Sequence, residues 1–154
     1  MATKYWLMKS EADVYSIDDL RREKKTRWDG VRNYQARNNM QAMKKGDRIL
    51  YYHSRQTPPA VVGLATVVKE AYPDPTQFDP GNKYFDETSD RKDPRWHLVD
   101  VAFERKFDHP VPLHDIKSEA SLSEMVLVNN SRLSVQPVTR KEFEKVLKMA
   151  GEKP

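Results

Sequence analysis

Asp47-Arg48-Ile49-Leu50-Tyr51-Tyr52-His53-Ser54 is followed, beyond a polar turn at Pro58-Pro59, by Val61-Val62-Gly63-Leu64-Ala65-Thr66-Val67-Val68. The first segment alternates, placing Ile49, Tyr51 and His53 on one side of a strand and Leu50, Tyr52 and Ser54 on the other. The second is apolar on both sides, the pattern of a central strand covered on both faces. Trp96 to Phe107 alternates again, with Val99, Val101, Phe103 and Phe107 toward a core. The middle of the chain is therefore β.

Helical signals lie outside this block. An opening strand, Tyr5 to Ser10, leads to a short helix in which Ser16 and Asp19 have capping-box spacing and Ile17 and Leu20 face inward. From Asn33 onward Ala36, Met40 and Met43 form one buried helical stripe, and Lys44-Lys45-Gly46 reads as its stop. The C-terminal third predicts a helix around Ile116 to Met125 and an extended Ser134 to Val138. A last helix follows, capped by Thr139 and Glu142, with Phe143, Val146, Leu147 and Ala150 buried. Short strands with helices near the ends predict an α+β fold, a small barrel or strongly bent sheet with helices packed on it. Ala71 to Arg95, rich in proline and aromatics, is too long for an ordinary connection. It reads either as a binding loop or as a surface excursion pinned by its aromatics.

The composition narrows the function by exclusion. One domain spanning 1–154 is expected, large enough to bury a core unaided. With no cysteine there is no disulfide, thiolate zinc site or thiol nucleophile. No segment has the length and apolarity of a signal peptide or membrane span, so a soluble intracellular protein is expected. A net charge of +4 permits a polyanionic partner without demanding one. The four histidines have no metalloprotease spacing, and the five glycines form neither a phosphate loop nor a dinucleotide fingerprint. Nothing nominates a catalytic group, a metal or a cofactor.

Residues 26–37, Thr-Arg-Trp-Asp-Gly-Val-Arg-Asn-Tyr-Gln-Ala-Arg, point instead to binding. They gather side chains that stack on a flat ring, bond its edge or hold a phosphate. Trp28 beside a turn glycine fits the mouth of a cleft, and it equally fits a core plug, the commoner fate of tryptophan. Arg32 and Arg37 read as a solvated helix face or as phosphate contacts.

These segments together resemble the EVE domain, a branch of the PUA-like superfamily. The resemblance rests on Tyr5 to Glu11, Val14 to Leu20, Trp28 to Asn38, Tyr51 to Ser54, Val62 to Ala65, Ala71 to Thr76, Pro94 to Trp96, Val99 to Val101 and Leu133 to Val138. They run in order along nearly the whole chain. Ala12 departs from the family's usual proline after Lys-Ser-Glu.

The resemblance implies a PUA-like β-pseudobarrel with flanking helices and a pocket between barrel and helices, related to the fold of YTH readers. It implies a non-enzymatic reader of a modified base, a methylated cytosine derivative in DNA first and a modified RNA base second. The implied base pocket comprises Ser10, Trp28, Asn33, Tyr34, Tyr52, His53, Ser54, Val135 and Gln136; Lys9, Arg32 and Arg37 would hold flanking phosphate. No cofactor, metal or membrane is implied, and a monomer is expected. Localisation would be cytoplasmic or nucleoid-associated in a bacterium and nuclear in a eukaryote. Two other readings stand beside it: an enzyme acting on a modified nucleotide or nucleoside through His53, and a protein-interaction module with a vestigial pocket.

Overall fold

The alternation across residues 48–53 becomes two cores on opposite faces of one sheet. In the computed structural model, which describes residues 3–130 and 132–153, β3 (Arg48–His53) lies between β1 (Tyr5–Ser10), parallel to it, and β4 (Ala60–Pro73), antiparallel. The chain ends of the expected 1–154 domain, and Ser131, lie outside the described residues. With β2 (Lys25–Arg27), β5 (His97–Pro112) and β6 (Val135–Val138) the sheet has six strands in the order β2-β5-β4-β3-β1-β6. Ile49 and Tyr51 join Trp6 and Met8 beneath α1 (Ile17–Glu23) and α2 (Tyr34–Ala42). Leu50 and Tyr52 join Leu7 beneath α3 (Leu113–Ser118), α4 (Val126–Asn129) and α5 (Arg140–Met149).

The two longest strands, β4 and β5, pair through repeated register shifts, which bend the sheet. One shift has a visible consequence. Ala65 pairs with Phe103 and its neighbour Leu64 with Arg105, so β5 carries one extra residue there. An extra residue inverts the alternation. Val99, Val101 and Phe103 pack on the α1–α2 face, whereas Phe107 belongs to the opposite core. The single core side read for all four was therefore incorrect beyond Phe103.

Local chemistry explains the helix limits. Both capping boxes form, Ser16 with Asp19 and Thr139 with Glu142. The helix begun at Asn33 ends at Ala42, before the predicted Lys44-Lys45-Gly46 stop. The reason is Asp47, nearly fully buried, whose carboxylate accepts from Lys4 N, Trp6 Nε1 and Lys44 N and draws that segment into a turn. The helix expected over 116–125 is broken: α3, a 3-10 turn at Ala120–Leu122 and α4 are separated by extended backbone at Glu119 and Met125.

Ala71 to Pro73 continue β4, and the rest of the long connection is ordered mainly by buried polar side chains. Gln77, fully buried, donates to Asp74 O and Trp96 O and accepts from Trp96 N and Ser89 Oγ. Asp86 accepts from Thr88 and from Trp96 Nε1, bonds that hold its carboxyl near a pKa of about 2.

Candidate functional site

A cleft of about 620 Å³ opens where the end of β1 meets the segment after β2. Lys9, Ser10 and Glu11 form one wall and Thr26 to Arg32 another, with Val14, Tyr15, Lys83, Tyr84 and Ser134 completing the lining. Each wall has its own anchor. Ser10 Oγ donates to Tyr15 O at 2.6 Å and Tyr51 OH donates to the same oxygen at 2.8 Å, fixing the 11–15 turn. Trp28 N donates to Val99 O at 2.8 Å, extending the β2–β5 pairing by one residue. Its indole meets the Tyr51 ring edge-on, 5.5 Å between centroids. Trp28 is partly buried against the core and also lines the cleft.

The opposite wall is held by one buried ion pair. Asp74, with no exposed surface, accepts from Gly30 N, Thr76 N, Thr76 Oγ1 and Arg32 Nη1. Burial alone would raise its carboxyl, but those bonds outweigh it and hold the pKa below the usual value. Arg32 also donates to Val31 O, Thr76 Oγ1 and, from Nε and Nη2, to Tyr84 O. A guanidinium has five N–H donors, and all are engaged within the protein. Arg32 thus builds the wall that carries Tyr84.

Two charges of residues that line the cleft are perturbed, Asp29 beside Trp28 and Lys9, whose side chain turns to the Tyr52 face of the sheet. Burial lowers the Lys9 pKa, and its Nζ lies 5.4 Å from the Tyr52 ring centroid. Burial, then the charge of Asp74, raises the pKa of Asp29. Among the described residues no group of three or more His, Cys, Asp or Glu is arranged to hold a metal ion.

Residues 4–149 match the EVE domain family. The chain belongs to the EVE domain family. Human Thymocyte nuclear protein 1 is 43% identical over 99% of this chain and 76% of its own length. A structure of a hypothetical protein from Leishmania major has 47% identity and a TM-score of 0.94, covering 97% of this chain and 96% of that one. A structure of human THYN1 protein in complex with DNA containing 5-methylcytosine has 42% identity and a TM-score of 0.93, covering 99% of this chain and all (100%) of that one.

In this EVE domain the residues singled out from sequence divide. Lys9, Ser10, Trp28 and Arg32 meet in the cleft. Asn33 caps α2, its side chain accepting from Ala36 N at 2.9 Å. Tyr34 lies outside the cleft lining, stacked on Trp96 at 4.9 Å, with the Arg37 guanidinium 4.8 Å from its ring. Arg37 donates to Arg95 O and Asn38 Oδ1. Tyr52 points into the other core, because it alternates with Tyr51. His53 is buried: Nε2 accepts from Ile17 N at 3.0 Å and Nδ1 pairs with Gln56. Ser54 is exposed beside Ser10 O, and Val135 is core. Gln136, fully buried, donates to Leu133 O and Asn130 O, so it braces the segment that supplies Ser134.

Asp29, Tyr15, Lys83 and Tyr84 also line the cleft and were not singled out as site residues from sequence. Asp29 stood inside the quoted motif and could have been nominated by it. Lys83 and Tyr84 lie about 50 residues from the Trp28 segment in sequence, and Tyr84 is joined to it through Arg32 and by contact with Gly30.

Proposed function

We propose that this EVE domain, occupying the whole chain, is a non-enzymatic reader of a modified base, with a methylated cytosine in DNA as the first candidate and a modified RNA base as the second. The observation that carries it is Trp28, an indole braced edge-on by Tyr51 yet lining an open cleft of about 620 Å³. An extruded base stacked there would gain about 1–3 kcal/mol. Extrusion from a duplex costs a few kcal/mol, which stacking and edge hydrogen bonds offset. The complex of human THYN1 protein with 5-methylcytosine DNA supports DNA as the partner.

Ser10 and Ser134 supply hydroxyls at the rim, and Tyr84 stands on the wall that Arg32 holds. Flanking phosphate falls to Lys9 and Lys83, with Arg37 further along the surface. A buried methyl contributes ~0.8 kcal/mol, which corresponds to only about fourfold selectivity for the methyl itself. His53 has both ring nitrogens engaged within the fold, so no observation favours acid–base chemistry there.

The test is a titration of oligonucleotides that differ at one base, unmodified or modified, DNA or RNA, at fixed salt, with the parent and Trp28→Ala. Tighter binding of one modified base by the parent, lost in the variant, is expected. Equal binding by both proteins would remove the stacking role.

A further inference from the structure

5-Methylcytosine and thymine carry the same ring methyl. They differ at position 4 and N3, where cytosine offers an amine donor beside an acceptor nitrogen and thymine a carbonyl beside an N–H. Stacking on Trp28 and room for a methyl cannot separate them. Separation needs a hydrogen-bond acceptor in the cleft that meets the amine.

Two carboxylates line the cleft, Glu11 and Asp29, and Asp29 is the one that adjoins Trp28. Tyr15 O already accepts from Ser10 Oγ and Tyr51 OH, and Tyr84 O accepts twice from Arg32. Glu11 is paired with Arg55 at 3.2 Å on the exposed rim. The hydroxyls of Ser10 and Thr26 give their protons to Tyr15 O and Arg27 O, and as neutral oxygens they accept more weakly than a carboxylate. Asp29 is different. Its side chain is 33% exposed, its Oδ2 is 3.5 Å from Arg27 Nε, and no hydrogen bond among the described residues engages Oδ1.

We propose that Asp29 is the specificity-determining residue of the cleft, accepting the exocyclic amine of a cytosine ring stacked on Trp28 and disfavouring the O4 of thymine or uracil. This rests on the base-reading function above. Arg27 orients the carboxylate through Oδ2 and leaves Oδ1 for the ring. As an acceptor, Oδ1 meets the amine of cytosine, whereas thymine sets its O4, itself an acceptor, against it.

The experiment uses single-stranded oligonucleotides identical except for one central 5-methylcytosine or thymine, titrated into the parent, Asp29→Ala, Asp29→Asn and Trp28→Ala, with thermal unfolding of each protein recorded. The parent should bind the 5-methylcytosine strand about tenfold or more tighter than the thymine strand. Asp29→Ala should bring the two within about twofold by removing the acceptor. Asp29→Asn should also reduce the preference, because an amide can turn its donor toward the O4 of thymine as readily as its acceptor toward the amine of cytosine. A parent without the preference, or an Asp29→Ala or Asp29→Asn protein that retains it in full, overturns the assignment of Asp29, provided Trp28→Ala still weakens binding. If Trp28→Ala binds both strands as the parent does, the base-reading function falls, and the Asp29 assignment with it.

Discussion

Gly30 and Tyr84 are in direct contact across the cleft wall: a Cβ built on Gly30 would lie 2.5 Å from two ring carbons of Tyr84. Gly30 also has φ +83, a backbone conformation that side chains rarely adopt. The glycine therefore serves twice, turning the chain after Trp28 and letting the aromatic ring lie on its backbone. Gly30→Ala should destabilise the fold by about 1–3 kcal/mol, through the strained φ and the displaced ring. It should also weaken oligonucleotide binding more than its loss of stability explains, because Tyr84 must move. Urea unfolding with parallel binding titrations measures both, and unchanged stability would contradict the contact.

Asp74 is the hub behind that wall. Removing one partner of a buried, hydrogen-bonded ion pair strands the other charge, so Asp74→Ala should cost about 3–5 kcal/mol. Arg32→Lys keeps the charge but cannot reproduce a planar fork with five donors, and a loss of about 1–3 kcal/mol is expected. Amide hydrogen exchange should rise first across residues 74–86 in Arg32→Lys, with α5 still protected. Uniform loosening of the whole chain would argue against a local strap.

What the sequence made legible follows physical range. The faces of β3, both capping boxes and the stripe of α5 are set by neighbours a few residues apart, and all appear as read. Phe107 was misplaced because a one-residue bulge at residues 103–105 leaves no mark in hydrophobic periodicity. Around the cleft, Trp28 and Ser10 were readable as members of contiguous motifs. Tyr52 and His53 belong to an equally contiguous motif but face into the two cores. Tyr84 reaches the site through the Arg32–Asp74 hub, a pairing across 42 residues that composition cannot reveal.

His53 gives the fold a pH dependence with a definite sign. Nε2 accepts from Ile17 N at the start of α1, which requires the neutral ring, and burial lowers its pKa below 6.5. The unfolded chain then binds a proton before the folded one does. The stability due to the neutral ring is full above about pH 6.5 and declines as pH falls from there through the lowered folded value. His97, also lowered by burial, adds in the same direction. Thermal unfolding between about pH 7.5 and 5 should show a shallower slope in His53→Gln than in the parent. Identical slopes would mean that His53 titrates alike in both states.

Salt dependence separates cations that touch nucleic acid from those that build the protein. Lys83 is exposed at the cleft, its Nζ 5.0 Å from the Tyr84 ring centroid, and Arg37 lies further along, 4.8 Å from the ring of Tyr34. Tyr34 stacks on Trp96, and the Arg32 guanidinium lies 5.5 Å from the Trp96 ring and 5.6 Å from that of Tyr84. Arginine and aromatic rings thus form one continuous ladder from the cleft to Arg37, a surface suited to a strand leaving the site. Each phosphate contact releases counterion, so Lys83→Ala should reduce the slope of log K against log salt by about 0.7–0.9. Arg37→Ala should do the same if the strand follows the ladder, and neither variant should alter the ratio of affinities for modified and unmodified base, since phosphate contacts carry no sequence information. Titrations at several salt concentrations decide it: an unchanged slope in Lys83→Ala removes that contact, and a changed base ratio would move Lys83 from the backbone to the base.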